Sequence, residues 1–219
     1  MTASTASPWD LPVKRARYGL IFVAQLALWM ALYYGINAAT AGRCVAQPLL
    51  PGEAALPRVS AAYPVYALVY VQIFAPLLCA RTRRRYVELQ LGFTVASVLA
   101  FAVFIAAPMP YPRPPLTIHS VTDYLLSLEY ATDGTRCTFP SLHVAISWLL
   151  FFGLRHRGRG WAAALAINAS AISVATVLVK QHFIVDVVGG LLLASIAWRI
   201  ALRLSRRWLG SAQRVAHAI

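Results

Sequence analysis

Two short stretches of this chain carry residues able to act on an anionic group. In Cys137-Thr138-Phe139-Pro140-Ser141-Leu142-His143 an imidazole follows a proline and a hydroxyl. In Lys180-Gln181-His182-Phe183-Ile184-Val185-Asp186 an imidazole and a carboxylate stand four residues apart. On a helix, such an i, i+4 pair shares one face. Asp186 can then fix the tautomer of His182 and raise its basicity, leaving the other ring nitrogen as a nucleophile. Pro140 suits the first turn of a helix, where its missing N–H costs nothing. A helix beginning near Thr138 would aim its unpaired N–H groups and positive dipole end at an anion. Ser141 would add a hydroxyl donor, and Lys180 a nearby positive charge. A His/His/Asp set can also bind zinc. No His-Glu-x-x-His sequence is present, however, and a helix N-terminus favours an anion over a cation, so neither metal nor cofactor is expected. His119, His156 and His217 read as interfacial packing.

The elements that must position these groups are apolar. Of the 219 residues, 59% are hydrophobic and only 12% charged, with a mean hydropathy of +0.63. A soluble domain of this size carries about a quarter charged residues. Six apolar segments can be read, roughly Tyr18–Thr40, Ala61–Ala80, Tyr86–Ala107, Thr138–Leu154, Trp161–Val179 and Phe183–Trp198. Each is near the ~20 residues a helix needs to cross hydrocarbon. The expected architecture is an all-α, polytopic membrane protein forming one domain over residues 1–219. Residues 1–17 and 204–219 would be basic tails on the inner side.

The net charge of +13 would suit nucleic acid, but its distribution argues against such a partner. Lys14, Arg15 and Arg17, then Arg81 and Arg83 to Arg85, then Arg155, Arg157 and Arg159, then Arg199, Arg203, Arg206 and Arg207 flank the apolar runs. With six spans these clusters and Arg214 fall on one side, holding 15 of the 20 Lys and Arg. The other five, Arg43, Arg58, Arg113, Arg136 and Lys180, fall opposite. The positive-inside rule then sets both termini inside, with His143, His182 and Asp186 at the outer ends of the fourth and sixth spans. Ala39-Thr40-Ala41 would serve as a signal-cleavage site, but the preceding run is long for a signal peptide.

Two outer segments connect the spans. Residues 41–60 read as a plain loop. Residues 108–137 open on Pro108-Met109-Pro110-Tyr111-Pro112-Arg113-Pro114-Pro115, which forbids helix. Ser120-Val121-Thr122-Asp123 follows as a capping-box variant. Ile118, Val121, Leu125 and Leu128 then recur at helical spacing, predicting a short interfacial helix that covers the bundle or gates it. Cys44 and Cys137 both lie outside, where an oxidising compartment would allow a disulfide between the two loops.

The two chemical stretches resemble the type 2 phosphatidic acid phosphatase superfamily. Phe139-Pro140-Ser141-Leu142-His143 matches its Pro-Ser-x-His motif, and His182 to Asp186 its terminal His-x-x-x-Asp. The resemblance implies that His182 forms a phosphohistidine, Asp186 orients it, and His143 protonates the departing alcohol. Ser141 and the helix N-terminus would hold phosphate oxygens. The sequence departs from the family where a Ser-Arg pair is replaced by Ala175 and Thr176. It departs again where Ala106 stands for the lysine ahead of Arg113-Pro114. Arg113, Arg136 or Lys180 would have to substitute as phosphate-binding cations. In motif style the chain looks closest to the inositol phosphorylceramide synthase and sphingomyelin synthase-like branch.

The implied function is hydrolysis of a lipid phosphomonoester or diphosphate at the extracytoplasmic face of the plasma (inner) membrane. A lipid phosphotransferase that passes the phospho-headgroup to an alcohol is the alternative, and a non-catalytic lipid carrier the third reading. The partners implied are a phosphorylated lipid and the bilayer; homo-oligomerisation is left open.

Overall fold

The computed structural model describes residues 9–216, with side chains to Trp208. Residues 1–8 and 217–219 of the expected tails, His217 included, lie outside the described residues. Eight α-helices appear among the described residues: α1 Arg15–Ala39, α2 Tyr63–Gln72, α3 Ala75–Cys79, α4 Arg83–Ala106, α5 Val121–Thr132, α6 Leu142–Leu154, α7 Arg159–Leu178 and α8 Ile184–Ala216. Four of these, α1, α4, α7 and α8 as far as Trp208, are long and apolar enough to cross a membrane.

The other two apolar segments take different forms. The segment expected as a second span breaks after Gln72 and resumes at Ala75, with Pro76 in the first turn of α3. In a continuous helix Pro76 would lack an N–H and collide with the Gln72 carbonyl, which accounts for the break. The segment expected as a fourth span is the 13-residue α6, about 20 Å of helix. A 3-10 turn over Arg155–Arg157 prolongs it.

The short α6 forms the centre. Leu142, Ala145, Ile146, Leu149, Leu150 and Leu154 are buried in one cluster with Leu89, Phe93 and Ala96 of α4 and Leu193, Ala194 and Ala197 of α8. Close approach of α8 depends on glycine. A Cβ at Gly190 would lie 2.6 Å from the Ser141 carbonyl oxygen and 2.8 Å from Val144 Cβ. The first helix is peripheral, with only Phe22, Ile36 and Asn37 buried among its residues. It is tied to α4 by polar contacts, Gln25 Nε2 to Thr94 Oγ1 at 2.7 Å and Trp29 Nε1 to Ser97 Oγ at 2.9 Å.

The basic segment from residue 204 is helical, since α8 runs on through it to Ala216. Cys44 is exposed and Cys137 buried, and both are free thiols. Cys137 packs in the central cluster with Ile36 and Leu142, and no disulfide joins it to Cys44. Finally, α5 forms where predicted, with Ser120 Oγ accepting from the Asp123 N–H, but its apolar stripe does not pack inward. Ile118, Val121, Leu125 and Leu128 are exposed, while Leu126 and Glu129 turn toward the bundle.

Candidate active site

The His182 segment is shaped by the end of α7. Lys180 adopts φ +57°, a left-handed conformation uncommon outside glycine. The chain thereby folds back, and the Thr176 carbonyl accepts the N–H groups of both Gln181 and His182, at 3.1 and 3.2 Å. This closes the helix with a six-to-one bond of Schellman type. Beyond it, α8 begins at Ile184. Its first N–H donates to Glu53 Oε1 at 2.7 Å, while Glu53 Oε2 accepts from the Leu50 N–H at 2.9 Å. Glu53 is buried, so the segment over residues 41–60 is more than a plain loop: it places a carboxyl group at the N-terminal end of α8.

Asp186 sits in the first turn of α8 and is fully buried. Its Oδ2 accepts the Phe183 N–H at 2.9 Å and faces His182 Nδ1 at 3.3 Å. With Nδ1–H donating to the carboxylate, His182 Nε2 holds a lone pair. That atom lies 3.4 Å from His143 Nδ1, so His143 is the donor in the contact between the two rings. The ring of Tyr66 stacks on His143 at 4.5 Å, fixing its plane. Tyr66 in turn donates its hydroxyl to Glu129 Oε1 at 3.1 Å.

The beginning of α6 differs from the sequence expectation. Pro140 is not in its first turn; Ser141 is the N-cap and Leu142 the first helical residue. Residues 138–141 are instead held by tertiary bonds. The Thr138 hydroxyl donates to the Met109 carbonyl, and the Ser141 N–H to the Asp186 carbonyl at 3.1 Å. Ser141 Oγ accepts from the Val144 N–H at 3.4 Å, so this buried hydroxyl serves the helix end.

A cavity of about 260 Å³ opens beside the two histidines. His143, His182, Gln181, Glu129 and Asp133 supply its polar groups, and Trp29, Tyr33, Tyr70, Val69, Ile73 and Ile146 much of its apolar wall. None of the three basic residues assigned to phosphate from sequence lines it. Arg113 Nη1 donates to the carbonyls of Tyr130 and Asp133, at 2.8 and 2.9 Å, and Nη2 to Asp133 Oδ2 and Gln181 Oε1. Lys180 lines a separate cavity with Arg58 and Tyr111. Arg136 contributes its backbone, donating to Asn37 Oδ1 at 3.3 Å.

Two acidic groups line the cavity. Glu129 accepts hydroxyls from Tyr63, Tyr66 and Tyr70, yet burial pushes its carboxyl above the usual range against their lowering effect. Burial likewise raises Asp133, against the Tyr33 hydroxyl and the Arg113 guanidinium. Sequence reading passed over Glu53, Glu129, Asp133, Gln181 and Tyr66. The signal for the acids was scarcity: the chain has seven Asp and Glu in all, so each one buried needs a reason.

A family model described as the PAP2 superfamily matches residues 42–200, which include both histidine segments and every group just described except those of α1. The chain belongs to the PAP2 superfamily. At two positions where this PAP2 chain departs from the motifs, Ala175 is buried against Tyr66, Leu126 and Val179, and the backbone carbonyl of Thr176 holds the N–H groups of Gln181 and His182. Among solved structures, the crystal structure of Aquifex aeolicus LpxE is similar at 21% identity, over 81% of this chain and 94% of that one, with a TM-score of 0.47. No curated protein sequence matches the chain.

Proposed function

We propose that the chain is a membrane lipid phosphatase that hydrolyses a phosphomonoester or diphosphate headgroup through a phosphohistidine on His182. The observation that carries this reading is the contact chain Asp186–His182–His143 beside a cavity walled by apolar side chains. The bundle would cross the membrane six times, with α2 plus α3 and the short α6 completing the count. Both termini would lie inside and the histidines at the extracytoplasmic end, a sidedness supported by the distribution of Lys and Arg.

Substrate must first break the contact between the rings, because a phosphoryl group does not fit between nitrogens 3.4 Å apart. The His182 Nε2 lone pair then attacks phosphorus. As the bond to the leaving oxygen breaks, His143 in its protonated form gives that oxygen a proton. The ring of His182 becomes cationic, and the Asp186 carboxylate at its Nδ1–H stabilises that charge. In the second half, neutral His143 takes a proton from water, the resulting hydroxide attacks phosphorus, and the P–N bond breaks to release phosphate. No step calls for a metal, so EDTA leaves activity intact.

A second reading, transfer to an alcohol, is favoured by one feature. Glu129 and Asp133 line the cavity, and carboxylate oxygens with spare lone pairs can accept from an acceptor hydroxyl. The test is purified protein in detergent, given phosphatidate, a prenyl diphosphate, or a phospholipid with ceramide. Release of free phosphate supports hydrolysis and headgroup exchange supports transfer. Neither product would overturn both readings.

A further inference from the structure

The cavity beside the histidines has no lining Lys or Arg among the described residues, although two carboxylates lie on its wall. A phosphoryl group placed there must meet neutral donors. One is already prepared. Gln181 lines the cavity, is 3% exposed, and its Nε2 is buried without a hydrogen-bond partner. The orientation of this amide is fixed by chemistry. Arg113 Nη2 donates to Gln181 Oε1, and a guanidinium cannot accept, so the oxygen faces Arg113 and the NH2 group must point elsewhere. An amide donor buried without an acceptor is costly, and a bound oxyanion removes that cost.

Arg113 itself is ill placed to hold the anion. Its Nη1 and Nη2 donors are committed to two carbonyls, Asp133 and Gln181; its Nε is buried without a hydrogen-bond partner, but unlike Gln181 the residue does not line the cavity. Tyr130 covers its face at 4.9 Å. The guanidinium is therefore held as a bracket, gripping residues 130 and 133 on one side and the amide of Gln181 on the other.

We propose that Gln181 holds a phosphoryl oxygen of the substrate through its side-chain amide N–H, and that Arg113 is a positioning residue acting through Gln181 rather than on the phosphate. The inference rests on the phosphoryl-transfer reading above. It assigns the role of the missing motif cations to a neutral side chain next to the nucleophile. Such a donor acts on charge that builds up in the transition state, and so affects turnover as well as binding.

The experiment compares Gln181→Ala, Gln181→Glu, Arg113→Lys and the double variant Arg113→Lys/Gln181→Ala, each checked by thermal melting in detergent. The readouts are hydrolysis of p-nitrophenyl phosphate and inhibition by orthovanadate. Gln181→Ala should weaken both kcat/KM and vanadate inhibition by about 10- to 100-fold, as expected for one hydrogen bond to a charged acceptor. Gln181→Glu keeps the oxygen that Arg113 grips but turns a second oxygen on the phosphate. It should melt like the wild type and be inhibited less than Gln181→Ala. A structural role predicts the reverse, since the Arg113 bond is kept. A lysine cannot reproduce the four-way grip of the guanidinium, so Arg113→Lys should lower activity in the wild-type background. In the Gln181→Ala background it should add less than about threefold, because coupled residues are not additive. Wild-type inhibition in Gln181→Glu, an unchanged Gln181→Ala, or a full additive loss from Arg113→Lys would overturn the assignment while leaving the phosphatase reading standing. A wild-type protein that neither turns over the ester nor is inhibited by vanadate would overturn both.

Discussion

The role given to Asp186 can be tested by one oxygen-to-nitrogen change. In Asp186→Asn the amide oxygen can occupy the Oδ2 position and still accept from the Phe183 N–H and His182 Nδ1–H, which lie at 2.9 and 3.3 Å. The amide nitrogen falls where Oδ1 has no partner among the described residues, so no existing bond is lost. What disappears is the negative charge facing the ring as His182 turns cationic. At 3.3 Å and an effective dielectric of about 20, that attraction is about 5 kcal/mol. The neutral amide oxygen retains about 1–1.5 kcal/mol of hydrogen bond. The net loss is about 3.5–4 kcal/mol, or roughly 300- to 1000-fold in the rate of phosphoenzyme formation. The assay is single-turnover hydrolysis of p-nitrophenyl phosphate, with thermal melting to show that the fold is kept. A loss below tenfold in a well-folded Asp186→Asn, alongside an inactive His182→Ala, would refute the claim that the carboxylate stabilises a charged histidine.

Other substitutions probe the parts around that pair. His143→Ala should lose activity on an alkyl phosphate but retain much of it on an ester with a very good leaving group, because protonation of the departing oxygen then matters less; equal losses on both would remove His143 as the acid. Gly190→Ala drives a methyl to 2.6 Å from the Ser141 carbonyl, so it should lower stability by about 1–3 kcal/mol and reduce turnover by moving α6 away from α8, read by melting and by kcat. Glu53→Ala strips the acceptor from the Leu50 and Ile184 N–H groups and should destabilise the start of α8, seen as faster hydrogen exchange at residues 184–187. The hydroxyls of Ser60 and Ser120 hold the exposed Asp123 carboxyl down to about 2, so its support for the start of α5 is complete above the ordinary carboxylate range and fades as pH falls from about 3.8 toward 2. Exchange at the N-terminal amides of α5 should therefore show extra opening, beyond the intrinsic pH effect, only at the acid end of that window.

Much of the chemistry was legible because it is local. His182 and Asp186 are one helical turn apart, so their meeting needed only a helix. The partnership of His143 with His182 spans 39 residues, and the motif resemblance anticipated it where periodicity alone could not. The start of α6 was misread because Pro140 permits two outcomes, a first helical turn or a stretch held from outside. Thr138, bonded to Met109, and Ser141, bonded to Asp186, favour the second. The same limitation hid Glu53, whose partner Ile184 lies 131 residues away, and Glu129, whose three tyrosine partners all come from α2. The stripe on α5 was read correctly as helical, but spacing alone does not say which face meets protein and which meets lipid. Arg113 was expected at the phosphate, but it does not line the cavity, and its Nη donors meet Asp133 and Gln181, contacts set wholly by tertiary structure.

The account turns on His182 Nε2 as the atom that takes the phosphoryl group. Rapid quench of the enzyme with a radioactive phosphate substrate, followed by peptide mapping in base, tests this directly. The label should be acid-labile and base-stable, reside on the peptide containing His182, and be absent from His182→Ala. Label on His143 or on an acidic side chain, or turnover by His182→Ala, would contradict it.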